Sequence, residues 1–317
     1  MRRKTLLTIA APVLVFALLL FGCGPTRPTP TEAPAEVKPP VATEKEVAQP
    51  APPAPVEPVV IEEEKPDTLA AVKARGVLVV GVRDTAPPFG TFNPGTKQFE
   101  GYDIDFARYI ANRLGVGIEF KVVTAGNRIP MLEDGRVDLL AAAMSINPER
   151  AKRIEFSYAH FITGQKFLAP KGMFKTVQDF EKQKVGVARG TTAEKNLAAT
   201  IPSAVIVSFD DYPQAINALL QRKVMAVTTD EAILAGQLSM LEKKPATRGK
   251  FEIPDLRIST DVFGFAVRKN DRKFLNFVNE TLLEMEKNGK AHEIFQRWFG
   301  PSSECPIKRG FFKISAE

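Results

Sequence analysis

"YDIDFARYIANRLGVGIEFKVV", residues 102–123, carries two hydrophobic periods end to end, and their order decides the fold class. Ile104, Ala107, Ile110, Ala111 and Leu114 recur at spacings of three and four, which predicts a helix with one apolar face and Gly115 as its stop. "IEFKVV" then reads as a strand. Upstream, "VLVVGV" (77–82) is an apolar run of buried-strand length; downstream, "NRIPMLEDG" (127–135) predicts a short helix and "VDLLAAA" (137–143) another strand. A β-α-β-α-β order implies a mainly parallel sheet with helices on its faces. The same alternation restarts with "KVGVARGTTAEKNLAAT" (184–200), "AVIVSF" (204–209), "DDYPQAINALLQR" (210–222), "VMAVTTD" (224–230) and "EAILAGQLSML" (231–241). A further strand, "VFGFAV" (262–267), precedes two amphipathic helices that end in "IFQRWFG" (294–300). The chain therefore predicts two α/β units with no linker between them.

Residues 1–22 have the layout of a secretory leader: Arg2, Arg3 and Lys4, then an apolar stretch too short for a membrane span, then Gly22 before Cys23. A small residue preceding a lone cysteine resembles the lipobox of bacterial lipoproteins, in which Cys23 is lipidated; an uncleaved anchor helix is the alternative. Residues 23–66 are dense in Pro, Ala, Glu and Val without periodicity, and read as a tether. At ~3.1 Å per residue of extended proline-rich chain, such a tether reaches roughly 100 Å from a membrane. Without the three positive charges of the leader and the net four negative charges of the tether, the overall +6 becomes +7 for residues 67–317. These charges are spread among acidic neighbours, which argues against nucleic acid and for anionic small solutes. The one other cysteine is Cys305 and the two histidines, His160 and His292, lie far apart, so neither a disulfide framework nor a metal site is expected, and no cofactor.

Ligands of open α/β sheets bind beyond the carboxyl ends of strands, where the N–H groups of the following helix face outward. "MSINPER" (144–150) puts Arg150 at such a turn. "RGTTAE" (189–194) offers Gly190 for close backbone approach and the hydroxyls of Thr191 and Thr192, or simply a helix cap. It lacks the lysine of a phosphate loop. Asp230 closes a strand and opens a helix, so it caps that helix or faces a cation. An arginine on one unit and an aspartate on the other suit a zwitterion.

Taken in order, "GVRDTAPPF", "GYDIDFARYIANRLG", "NRIPMLEDGRVDLLAAAMSINPERAKRIEFS", "GVARGTTAEKNL", "TTDEAILAG" and "IFQRWFG" resemble the family 3 extracellular solute-binding proteins, the polar amino-acid receptors of ABC importers. The resemblance implies a two-lobed periplasmic-binding-protein type II fold with two hinge strands, lobe 1 from 67–160 and 266–317 and lobe 2 from 161–265. It implies an extracytoplasmic, membrane-anchored monomer that delivers an amino acid to membrane permease subunits and performs no catalysis. Matched position by position, Arg150 grips the ligand α-carboxylate with Ser145 and the backbone of Ala143. Thr191 and Thr192 share it from the second lobe, Gly190 shapes their turn, and Asp230 takes the α-ammonium with the Ala143 carbonyl.

In the acidic-ligand members, arginines matching Arg83 and Arg128 reach the distal carboxylate, so glutamate or aspartate is the expected ligand, with glutamine or asparagine as the other reading. Phe89 matches the first-lobe wall, and Tyr212 a position of the side-chain pocket. Ala125 to Arg128 stand where many members carry a stacking aromatic, so stacking from this turn is not expected. Two other classes compete. A cyclohexadienyl or arogenate dehydratase-like enzyme on the same fold would need a proton donor such as Glu100, Glu133 or Glu149. A receptor ectodomain would need a signalling segment after the fold. The segment "PSSECPIKRGFFKISAE" (301–317) matches none of these motifs.

Overall fold

The computed structural model describes residues 66–307 and 312–316. The leader, Cys23 and all but the last residue of the tether lie outside them. In chain order the elements are α1 (Thr68–Arg75), β1 (Val77–Val82), β2 (Thr85–Ala86), β3 (Gly90–Asn93), β4 (Gln98–Glu100), α2 (Tyr102–Leu114), β5 (Gly117–Val122), α3 (Arg128–Glu133), β6 (Leu139–Ala141), α4 (Pro148–Ala151) and β7 (Ile154–Thr163). There follow β8 (Gln165–Pro170), β9 (Lys184–Ala188), α5 (Ala193–Thr200), β10 (Val205–Phe209), α6 (Tyr212–Leu220), β11 (Ala226–Asp230), α7 (Glu231–Glu242), β12 (Phe251–Glu252), β13 (Asp261–Arg268), α8 (Arg272–Lys287) and α9 (Lys290–Phe299).

Two five-stranded sheets form the two lobes, in the orders β5-β1-β6-β13-β7 and β10-β9-β11-β8-β12, and β2, β3 and β4 make a small third sheet. In the first, β1 pairs in parallel with both β5 and β6, as the opening stretch predicts, whereas β13 and β7 run antiparallel. The second repeats the scheme: β9 is parallel to β10 and β11, and β8 is antiparallel to β11. The chain leaves the first sheet after Thr163 and rejoins it at Asp261, residues that pair with each other, against limits expected at 160/161 and 265/266. Two strands thus cross between the lobes side by side.

The α2 face is the predicted one: Ile104, Ala107, Ile110, Ala111 and Leu114 are buried, and Gly115 ends the helix at φ 71°, a left-handed geometry that costs glycine nothing. The core of the first lobe is aromatic. Phe89, Tyr102, Phe161, Phe263 and Phe299 meet at ring-centroid distances of 4.7–6.2 Å, in edge or tilted arrangements. The second lobe has a smaller core in which Phe180 stacks between Phe167 and Phe174. The segment after α9 is bound to the first lobe: Cys305 and Ile314 are buried in its core, and Ile307 and Phe312 pack against it. No described helix is long and apolar enough to cross a membrane.

Candidate functional site

Three strand ends converge where the lobes meet, around a narrow polar cavity. Arg128, Ala143, Ser145 and Arg150 line it from the first lobe, and Thr191, Thr192, Tyr212 and Asp230 from the second. Arg150 is placed by local chemistry: the Asn147 side chain caps α4 by accepting from the Arg150 N–H at 2.9 Å, with Pro148 in the first turn. The guanidinium then spans the lobes, with Nη1 donating to the Ser145 carbonyl at 2.8 Å and Nη2 to the Gly190 carbonyl at 3.1 Å. Burial pulls its pKa below the ordinary arginine value, and the charge of Asp230 opposes the shift.

Ala143 sits in the left-handed region at φ 47°, an uncommon place for a residue with a Cβ. A buried relay holds it there. The Ala143 N–H donates to Asp103 Oδ2 at 2.7 Å, and Asp103 Oδ1 lies 2.9 Å from His160 Nε2 on the crossing strand β7. Arg128 is buried at 2 % exposure; its Nη1 donates to the carbonyls of Ala142 at 2.7 Å and Ala143 at 3.4 Å, while its Nε has no partner among the described residues. Burial first, then the charges of Arg150 and Arg83, hold it well below the usual arginine pKa.

Across the cleft, Thr192 stands at the start of α5 with its Oγ1 3.4 Å from Ser145 Oγ, and Thr191 Oγ1 donates to the Ala188 carbonyl at 2.7 Å. Gly190, at φ 80°, lies so close to the Ala125–Gly126 turn that a Cβ would come within 2.9 Å of that backbone. Asp230 ends β11 and stands at the N-cap position of α7 without a side-chain capping bond, and its Oδ1 has no partner among the described residues. Burial raises its pKa to about 7; the negative charge of Asp261 adds to the shift, and Arg150 and Arg128 oppose it. Tyr212 is buried, with its hydroxyl 3.2 Å from Thr229 Oγ1.

Eight of the eleven expected ligand positions thus line one cavity, and Gly190 is next to it. Two are placed elsewhere. Phe89 is fully buried in the aromatic core, because the "PPF" turn directs its ring into the lobe and away from the cleft. Arg83 is also buried and does not line the cavity: it pairs with Asp211 of the second lobe. Asp211 and the Asp103–His160 relay went unnoticed in the sequence, although "DYPQ" has the form of a capping box with Pro in the first turn, and the box is present at α6. None of the acids expected of an enzyme lines the cavity: Glu100 is hydrogen-bonded to Asn93 and Thr96, Glu133 is paired with Arg153, and Glu149 with Lys195. No cluster of metal-binding side chains occurs among the described residues.

The cavity has a guanidinium, hydroxyls and a helix N-terminus for an anion, a carboxyl with one oxygen unpartnered among the described residues for a cation, and a second buried guanidinium for a third polar group. Known proteins resemble the chain in sequence and in fold. The glutamine-binding protein GlnH of an ABC transporter in Bacillus subtilis (strain 168) is 35% identical over 243 residues, 75% of this chain and 86% of the relative. The glutamine-binding protein of Geobacillus stearothermophilus is 34% identical, over 68% of this chain and 81% of its own. Among solved structures, an ancestral arginine-binding protein bound to glutamine superposes with a TM-score of 0.66 at 35% identity, covering 71% of this chain and 99% of that one. The ancestral amino acid-binding protein AncCDT-1, a precursor of cyclohexadienyl dehydratase, gives 0.65 at 30% identity, covering 74% and 99%. The model of the bacterial extracellular solute-binding proteins, family 3, matches residues 78–301, which include every strand end that lines the cavity, and the chain belongs to that family.

Proposed function

We propose that the protein captures a free acidic amino acid, glutamate or aspartate, by closing its two lobes about the hinge strands and presents it to membrane permease subunits. In this reading Arg150, Ser145, Thr191 and Thr192 hold the α-carboxylate and Asp230 the α-ammonium. A planar guanidinium matches a carboxylate in two hydrogen bonds, as an ammonium does not. The observation that carries the side-chain assignment is Arg128, a fully buried cation on the cavity wall with no carboxylate among its hydrogen-bond partners. On the cavity wall two guanidiniums face one carboxyl, Asp230, so an acidic ligand offers the second guanidinium a carboxylate where an amide offers a neutral oxygen.

Glutamine is the second reading. Two relatives bind it by name, and the Arg83–Asp211 pair leaves a single arginine for the distal group. Calorimetry against glutamate, aspartate, glutamine and asparagine separates the two: glutamate is expected to bind more tightly than glutamine, and tighter glutamine binding would reverse the assignment. Arg128→Met should weaken glutamate roughly tenfold more than glutamine, the difference between a charge-assisted and a neutral hydrogen bond.

Asp230 makes binding pH-dependent. Only its carboxylate attracts an ammonium, so affinity is expected to fall as pH drops through about 7, with a proton released on binding near that pH. The stability of the free protein has the opposite slope. Between 3.8, the ordinary value, and about 7, the folded chain keeps a proton that the unfolded chain has lost, so stability declines as pH rises through this window. A dissociation constant that is flat across the neutral range would remove Asp230 from ammonium binding.

The family is extracellular, and we assign the anchor to Cys23. Cys23→Ser should move the protein from the membrane to the soluble fraction. Transport binding is the proposed activity, as in the relatives named for the amino acids they bind; prephenate and arogenate should be recovered unchanged.

A further inference from the structure

We propose that Asp211 is a specificity-determining residue: by pairing with Arg83 across the lobe interface, it withholds a second positive charge from the side-chain end of the cavity. This rests on the reading of the cavity as an amino-acid site and deepens it. Arg83 follows β1 and is buried, with side-chain exposure of 2 %, and Asp211 is the N-cap of α6 on the opposite lobe. The two form an ion pair, Thr85 Oγ1 donates to Asp211 Oδ2 at 2.7 Å, and Arg83 Nη2 reaches Thr85 Oγ1 at 3.3 Å. The Arg83 guanidinium carbon also lies 5.1 Å from the centre of the Tyr212 ring, and Tyr212 and Arg128 are neighbours on the cavity wall. Arg83 therefore stands one side chain behind the place where a ligand side chain must end.

Buried charge of this kind is screened little, so its effect at the cavity depends on whether a carboxylate covers it. With Asp211 ionised, Arg83 and Asp211 form a near-neutral pair and Arg128 alone reads the distal group. Without the carboxylate, Arg83 adds its field to that of Arg128, and an acidic ligand gains over an amide of the same shape. The pair forms between lobes, so it also favours their contact; that effect is common to all ligands and cancels from a ratio.

Asp211→Asn tests this, because an asparagine retains the cap of α6 and an acceptor for Arg83 while removing the charge. Glutamate and glutamine affinities are measured by calorimetry for the native protein, Asp211→Asn, and Asp211→Asn combined with Arg83→Met. The glutamate-to-glutamine affinity ratio should rise roughly tenfold in Asp211→Asn and return to the native value in the double variant. An unchanged ratio with both affinities lowered alike would reduce Asp211 to a lobe contact and overturn the proposal. A rise that persists without Arg83 would overturn it too. Failure of the underlying reading shows in the native protein itself, as binding of neither amino acid.

Discussion

Arg150→Ala is expected to weaken binding of every amino acid by more than about tenfold while leaving the free protein folded. The side chain makes two bonds, to the Ser145 carbonyl on its own lobe and to the Gly190 carbonyl on the other, and it presents a planar fork to the cavity. Removing one partner of a desolvated, hydrogen-bonded charge pair costs about 2–5 kcal/mol, part of which is the penalty of leaving the ligand carboxylate buried without a counter-charge. The expected loss is then roughly 30-fold to several thousand-fold. Because the α-carboxylate is common to all amino acids, the loss should be uniform across the panel, unlike the selective effect of Arg128→Met. Arg150→Lys keeps the charge but not the fork, so it should recover a fraction of the affinity. Thermal denaturation with and without ligand checks folding and binding together, since a ligand that binds only the folded state raises the melting temperature by an amount that grows with the logarithm of its affinity. Arg150→Ala retaining affinity within a factor of ten would sink the assignment of this turn.

What could be read without coordinates follows from how local each signal is. The face of α2 and the pairing of β1 with β5 and β6 depend on periods of three to four residues and on one uninterrupted apolar run, and both stand in the structure as read. Strand β7 resisted the same reading, because its buried positions fall on both faces and Tyr158 and His160 interrupt the apolar series. Arg150, Asp230 and Thr192 were legible because each follows a strand end, which is a local feature. Phe89 was misplaced, since an aromatic residue after "PP" fits a cleft wall and a core equally well until its neighbours Phe161, Phe263 and Phe299 are known. Asp211 illustrates the other limit: its cap is local, but its ion-pair partner Arg83 comes from the opposite lobe. Likewise the bond from Ala143 to Asp103 joins two motifs that were each recognised but not connected.

Gly236 shows the same limit and gives the second large effect. A glycine within α7 costs about 1 kcal/mol of helix propensity against alanine, so on local grounds alanine would be the better residue. The reason for glycine lies on the other lobe. A Cβ at position 236 would stand 2.1 Å from the Pro87 carbonyl oxygen and 2.5 Å from its carbon, both backbone atoms of the turn between β2 and β3. The next residue, Gln237, fixes the approach by donating from Nε2 to the Thr85 carbonyl at 2.9 Å. Since α7 packs on the second lobe, a methyl group here disturbs neither lobe alone and obstructs only their contact. Gly236→Ala should therefore leave the free protein at least as stable as the native one while weakening every ligand by more than about tenfold, and Gly236→Val should abolish binding. The two effects have opposite signs, which distinguishes obstructed closure from a damaged fold: the melting temperature without ligand holds or rises, and its ligand-induced increase disappears. Small-angle scattering should find the ligand-saturated variant in the more extended form of the free protein. Native affinity in Gly236→Ala would mean that ligand capture does not require the lobe contact seen here, and closure about β7 and β13 would have to be abandoned as the capture step.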